Sequence, residues 1–513
     1  MRRSARPLRL VALALAMACT ACGSLLRTPY ETPASTLPPA WDAPVPAGAT
    51  QMRPDARWWR AFGDARLDAL IEQALERNAD LALAGLRMYR ARLEAGAEDA
   101  RGMPSLDLRT GASTKRNLKH GGSSVRGYEA GLALSYDVDL WGKLARTQEA
   151  AAWRAAASAF DLQATKLALV GEVSTLYWSI AELNTRIALA QADLADAERV
   201  LSLTRARRQA GAGSAIELAL AERDTAATSA ALERHLRQRD TQRLTLGKLL
   251  SAPVAAEAAA AYTLPSADLP ELAPGLPATA LARRPDVAAA ETRMRATLNL
   301  YDASIADFYP KLTLTADATG RSSDLGQLFS NPFGTLGGGL MMPLLKWQAL
   351  QMASDIARVN HDESVTTYQK TLYAALVEVN EAMVERESLG REAGEVRAAL
   401  DAATRAEALS MARYVAGKGT LRAALDDGRA RREASAAALT TRVNQLRAQM
   451  TLFRALGGTE EMTDPRGAAP RRPAPRGAPG GPARRGGGAA RGGRGRRSGW
   501  GPARAGWRAL PRS

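Results

Sequence analysis

Cysteine is almost missing from this 513-residue chain: there are two, Cys19 and Cys22, both at the N-terminus. The rest of the sequence therefore has no thiol for a disulfide framework, a cysteine metal site or a thiol nucleophile. Histidine is equally scarce, and the three at positions 120, 235 and 361 lack the short spacings of metal ligands. No nucleophile elbow, phosphate loop, HExxH or paired-carboxylate spacing occurs, so no residue is singled out as catalytic, cofactor-binding or metal-ligating. Aromatic residues make up 5%, with only six Phe. The space is taken by alanine, the strongest helix former, which favours a mainly helical chain with closely spaced helices.

Acidic residues are absent after Asp464, while residues 466–513 carry 13 Arg. The formal charge of +16 therefore leaves +3 for everything before that tail, and the body gives no electrostatic reason to expect nucleic acid. The apolar run Leu10 to Ala18, preceded by Arg2, Arg3, Arg6 and Arg9, is too short to span a membrane as a helix but suits a secretory signal. Thr20-Ala21 before Cys22 resembles a bacterial lipoprotein signal, with Cys22 as the acylated residue. Cys19 is the weaker alternative, and plain cleavage without a lipid stays open.

What the chain does have is a copy of itself. An offset of 206 residues brings Ala74, Leu75, Arg77, Asp80 and Met88 onto Ala280, Leu281, Arg283, Asp286 and Met294. Further along it brings Pro104, Trp141 and Gly211 onto Pro310, Trp347 and Gly417. One unbroken offset over so long a stretch means duplication of a whole structural unit. The periodicity predicts helices over 67–103 and 277–309, each stopped by a proline that cannot continue a helix. Alternating runs follow at 106–109, 132–140, 312–316 and 336–340, which read as four strands in two hairpins. From Leu162 the heptad series Leu162, Leu169, Leu176 and Leu183, interleaved with Val173, Ile180 and Ile187, predicts a coiled-coil helix from Gly142 to Ala210, about 100 Å long at 1.5 Å per residue. Gly211 and Gly213 end it, and Ser214 with Glu217 forms a capping box for the return helix. Gly417, Gly419 and Thr420 repeat the turn, with Ala423 in place of the glutamate.

Four strands cannot close a membrane barrel, so several chains must pool theirs. At this point the motifs carry a resemblance. Trp58-Trp59, Phe62, Asp64, Leu67, Leu70, Ala74 and Asn78 resemble the opening signature of outer-membrane efflux lipoproteins of the OprM/NodT group, relatives of TolC. Tyr136 to Gly142, Arg283 to Glu291 and Tyr414 to Gly417 are similar to further motifs of that group. The resemblance implies a mainly α TolC-like fold with a small transmembrane β part. It has two tandem repeats, long coiled-coil helical hairpins and four strands per chain, and assembles as a homotrimer with a 12-stranded barrel on an α-helical barrel. It further implies an exit duct in the outer-membrane lipid, reaching into the periplasm, served by a periplasmic adaptor (membrane fusion) protein and an inner-membrane transporter of the RND class. Two alternatives stay open: the exit of a type I protein secretion system, and a non-conducting structural lipoprotein.

By the same resemblance, Gly211, Gly213, Ser214, Gly417, Gly419 and Thr420 are periplasmic tips that meet the adaptor. Asp426 and Arg413 stand where the family often has a gating acid and an arginine, with Asp427 an equal candidate for the inward position. A ring of three such acids at a narrow end would attract cations. The expected organisation is a signal peptide (1–21), a Pro-rich strap (22–62), a first repeat (63–255), a linker (256–276), a second repeat (277–458) and a tail (459–513). That tail, Arg/Gly/Pro-rich, reads as a frameshifted end or a disordered extension. RNA binding is a third reading, at odds with export.

Overall fold

The computed structural model describes residues 26–458 apart from 35–36, 43–49, 52–56, 117–123, 267–268, 270–271 and 274. Cys19, Cys22 and the tail from 459 onward thus lie outside the described residues. Everything described belongs to the first of two compact units, Met1–Gly467; the second is Ala468–Ser513.

Helix α1 (Ala65–Arg77) starts where the Asp64 carboxylate accepts from the amides of Arg66 at 2.9 Å and Leu67 at 3.2 Å. Its buried face is Leu67, Ile71 and Ala74, at helical spacing. The expected single helix over 67–103 is broken at Asn78. There the backbone turns extended, with ψ 127°, while the side chain caps Leu81 at 2.9 Å to start α2 (Ala79–Arg101). The expected helix over 277–309 breaks as well, into a short Pro277–Leu281 helix and α5 (Pro285–Ala306), named in order below. Proline at the first helical position of α5 forces the preceding Arg284 to extend.

Strands β1 (Ser105–Lys115) and β2 (Val125–Val138) are followed by α3 (Lys143–Gln209) and α4 (Ala215–Leu249). After α5 come β3 (Lys311–Ser322), β4 (Pro332–Met341), α6 (Trp347–Val415) and α7 (Leu421–Ala455). The four strands form one antiparallel sheet in the order β1-β2-β3-β4. Ser105 faces Ser135 and Lys115 faces Val125 in the first hairpin, and Lys311 faces Met341 in the second. The central junction sets Val138 against Leu312 and Tyr128 against Ser322. Each ladder runs further than the apolar alternation predicts, because backbone pairing continues through Thr, Ser and Gly positions that carry no hydrophobic signal.

The predicted rods are present as α3 of 67 residues and α6 of 69 residues, each about 100 Å at 1.5 Å per residue. Leu169, Val173, Ile180, Leu183 and Ile187, all from the heptad series, are buried. The core lies where the rods meet α1 and the aromatic turn Trp58–Phe62. Trp58 stacks on Phe453 at 5.0 Å, and Phe62 meets Trp178 edge-on at 5.0 Å. The Tyr177 hydroxyl donates to Asp64 at 2.6 Å, joining the α1 cap to the rod. Burial, then the Asp64 carboxylate, pushes the Tyr177 pKa upward, so it remains a neutral donor throughout the ordinary pH range.

Trp178 is fully buried. Trp178→Ala is expected to cost about 3–5 kcal/mol, measured by denaturant titration of the helical signal in detergent. A loss below about 1 kcal/mol would show that this core does not hold the helices together.

Candidate functional site

The sheet has two unlike faces. Residues directly opposed in an antiparallel pair share a face, so the observed register puts Leu106, Leu108, Leu132, Leu134, Tyr136, Val138, Leu312, Leu314, Leu336 and Leu340 on one side. The other side carries Asp107, Arg109, Lys115, Glu129, Asp137, Lys311, Asp317 and Arg321. On that polar side Arg321 pairs with Glu129 at 3.0 Å and Thr313 donates to Asp137 at 2.6 Å. Much of the apolar side is exposed among the described residues, with Leu108 73% and Leu336 86% exposed. Among the described residues β1 and β4 each pair on one side only.

Strand passes to rod at a built corner. Gly142 takes φ +77°, and the Asp139 carboxylate accepts from Ala145 at 2.8 Å to cap α3. The Trp141 indole donates to the Pro310 carbonyl at 2.8 Å and its ring lies 4.7 Å from Tyr309. The Lys143 ammonium donates to Asp307 at 2.6 Å. At the other end of the rods both hairpins turn on a glycine with positive φ, Gly211 at +75° and Gly417 at +74°, a conformation that penalises side chains. Ala212 donates to the Arg207 carbonyl and Lys418 to that of Arg413, which closes the two helix ends alike. Gly213 and Gly419 are closely packed, since a Cβ there would sit 3.0 Å from Arg208 N and 3.1 Å from Arg413 Cβ. Ser214 completes its capping box with Glu217, both bonds at 3.1 Å, whereas Thr420 caps Ala423 alone at 3.3 Å.

The two tips converge on one cluster: Ala221, Tyr414, Leu421, Ala424 and Leu425 pack together with Val200, Leu201, Leu220 and Met411. Sequence reasoning missed its centre. Tyr414 is buried, its hydroxyl lies 3.3 Å from Thr204 Oγ1, and the Arg207 guanidinium lies over its ring at 4.9 Å. Two signals pointed there: it stands three residues before Gly417, and it opens the Tyr414 to Gly417 motif. The second omission is a pair of arginines on α7. Arg431 bridges Asp193 of α3 and Glu407 of α6, and Arg432 reaches Asp224 of α4 at 3.3 Å. Burial alone would lower the Arg431 pKa; the two carboxylates outweigh it and raise it.

The gate candidates separate. Asp427 is held by the Ser410 hydroxyl inside the hairpin. Asp426 is 58% exposed and only loosely paired with Arg422, at 3.8 Å. Arg413 is exposed on the last turn of α6.

Apolar side chains lie uncovered on two helices. On α6 they are Met352, Ile356 and Val359 and, beyond the polar positions Glu363, Thr366 and Lys370, Tyr373, Val377 and Val384; on α2 Leu83, Leu86 and Leu93 form a shorter stripe. The strap runs along α5: Thr28 bonds Asp302 through its amide at 3.0 Å and hydroxyl at 2.7 Å, Tyr30 donates to Glu291 at 3.1 Å, and Trp41 donates to Gly275 at 2.7 Å. No described helix is long and apolar enough to cross a membrane.

Residues 70–252 and 276–458 both match the family described as outer membrane efflux protein, and the two segments are offset by the 206 residues of the internal repeat. The pyoverdine export outer membrane protein OpmQ of Pseudomonas putida is 33% identical over 90% of this chain and 99% of its own length. Among solved structures, the open-state MtrE outer membrane channel of Neisseria gonorrhoeae matches with a TM-score of 0.76 and 26% identity, covering 85% of this chain and 98% of its own. The CmeC outer membrane channel of Campylobacter jejuni has the same fold, with a TM-score of 0.81 at 21% identity over 86% of this chain and 97% of its own. An amphipathic sheet joined to two long hairpins, matched twice over in sequence and throughout in fold, places this chain in the outer membrane efflux protein family, as an export channel and not an enzyme.

Proposed function

We propose that three copies of this chain form the outer-membrane exit duct of a tripartite efflux pump, fed by a periplasmic adaptor and an inner-membrane transporter of the RND class. The observation that carries the reading is the four-stranded sheet, apolar on one side and polar on the other, with both edges unpaired and two rods hanging from it. In lipid every backbone donor and acceptor must be paired, so such a sheet is stable only as part of a closed ring. The polar face would then line the duct. The exposed apolar patches on α6 and α2 favour the same assembly, since clustered apolar side chains are normally covered.

The turns Gly211 to Ser214 and Gly417 to Thr420 are the adaptor-facing tips. Asp426 is the better placed gate acid, because Asp427 is already occupied by Ser410 within its own hairpin; Arg413 is the basic member of the same region. Acylation at Cys22 is favoured by the path of the strap. Thr28 is fixed at Asp302, close to the strand-to-helix corner, and six residues reach about 20 Å when extended. The transporter selects what enters such a duct; the pyoverdine exported by its OpmQ relative is a first cargo to test.

Reconstituted into a planar bilayer, the purified protein is expected to be a trimer that conducts in discrete steps; a monomer passing no current would sink the reading. Gly417→Val should reduce export at least about tenfold while trimer and membrane level stay unchanged, because a β-branched residue resists positive φ. Retained export would remove the tip assignment. Asp426→Ala should shift the reversal potential in a salt gradient away from cation preference. Currents identical to wild type would retire the ring.

A further inference from the structure

Toward the end of the sheet away from the rods, the apolar side runs out early. Within the ladder its large side chains extend from Leu312 up to Leu132, which lies opposite Ala318. The step from 312 to 318, at about 3.4 Å per residue along the strand and tilted by about 40°, gives only about 15 Å of height, against the roughly 25 Å apolar band of an outer-membrane barrel. Above that level the same side carries Thr110, Ala112, Ala130 and Gly320, all small. Arg126, opposite Thr114, is the one charge on this side of the ladder and stands higher still.

The loop from β3 to β4 folds into this gap. Gly320 pairs with Ala130 and Pro332, so a Cβ on it would point to the apolar side. That Cβ would collide with the Leu328 carbonyl and come within 3.6 Å of Phe329 Cδ1. Glycine therefore lets the loop backbone lie directly on the strand. The turn is held by its own bonds: the Asp324 carboxylate accepts from the Gly326 amide at 2.9 Å, and the Ser330 hydroxyl donates to the Gln327 carbonyl at 2.7 Å. Leu328 is buried by this folding, while Leu325 and Phe329 remain 64% and 73% exposed. The equally long connection of the first hairpin, 116–124, has one leucine among Arg, Asn, Lys, His, Gly and Ser, so the repeat does not supply a second such loop.

Building on the reading of this sheet as part of a membrane barrel, we propose that the β3–β4 loop is a lipid anchor. Leu325 and Phe329 sit among the acyl chains of the outer leaflet and complete the apolar band where the strands offer only small side chains. Lipid is the occupant because the loop lies on the same side as the leucines of the sheet and continues their surface. The level is right as well. Tyr128 stands one ladder step beyond Gly320, opposite Ser322 and on the same side, where an aromatic girdle marks the membrane boundary. Arg126 follows at the height of the headgroups. Phe333 makes the contrast: it lies opposite Thr319 on the polar side, at nearly the height of Phe329, and belongs to the duct.

Spin labels on the full chain in liposomes test this, with the wild-type chain as background for Cys19 and Cys22. Labels at Leu325→Cys and Phe329→Cys should collide with oxygen, which concentrates in lipid, at least about threefold more often than with a water-soluble nickel complex. A label at Leu132→Cys, on the apolar side of the ladder, should do the same, and one at Phe333→Cys should show the reverse order. Adding Gly320→Val should turn the Phe329→Cys label toward nickel, because the new side chain displaces the loop. An unchanged label would overturn the role of Gly320 in seating it. Nickel preference at 325 and 329 with oxygen preference at 132 would overturn the anchor and leave the membrane sheet standing. Few collisions with either reagent at 329 would place a neighbouring copy over the loop and overturn lipid as its occupant. Nickel preference at 132 would bring down the membrane reading and the anchor with it.

Discussion

A backbone amide in hydrocarbon has no water to turn to, and leaving it unpaired costs several kcal/mol. That constraint governs the rest of this molecule. The strands β1 and β4 bracket a sheet whose apolar face is exposed, and among the described residues each has an outer edge of peptide groups without a strand partner. A soluble protein would blunt such edges with charge or a bulge. Here β4 has the sequence PFGTLGGGLM, without a charge and with its one proline at the first position, which fits an edge meant to be joined.

The corner between strand and rod follows from the same requirement. A strand at membrane depth must hand its chain to a helix without leaving amides unpaired. Asp139 does this by turning its carboxylate onto the first amides of α3, while Gly142 takes the positive φ that lets the chain swing round. Below the corner the chain is in water, and the stabilising principle changes from hydrogen bonding to burial. The heptad stripe of α3 and the aromatic turn at Trp58–Phe62 then carry the packing. At the far end, where the helices have few large side chains left, polar contacts take over: Tyr414 against Thr204, and Arg431 across three helices.

Much of this was legible in the sequence because it is periodic. The boundaries of the first rod came out within a residue, since glycines flank α3. Helix 67–103 was misread because Asn78 sits inside an apolar pattern that continues on both sides, and only its side-chain bond to Leu81 shows that it caps rather than continues. Pro285 and the extended residue before it were visible, but the pairing of Arg284 with Asp286 and Glu378 was not, because Glu378 lies 94 residues away on α6. Strand ends were invisible, because ladder bonds through Thr110 or Gly320 have no hydrophobic signature. At the tips, glycine spacing showed where the chain turns, yet nothing in a string of residues distinguishes Asp426 from Asp427. The difference is a hydroxyl, Ser410, seventeen residues away on the other helix of the hairpin.

Duplication also explains why the two halves are not interchangeable. Identical copies would make a ring of equivalent hairpins, in which every tip is held equally. The second copy has lost the capping glutamate, with Ala423 at the position of Glu217, a reciprocal cap of about 1 kcal/mol. It also carries the buried tyrosine and the two bridging arginines, all of which reach across to repeat 1. Its own turn is therefore weaker, and more of its position depends on contacts to the other hairpin. The weaker cap at Ala423 is thus offset at the second tip by bonds that reach the first hairpin, through Tyr414, Arg431 and Arg432.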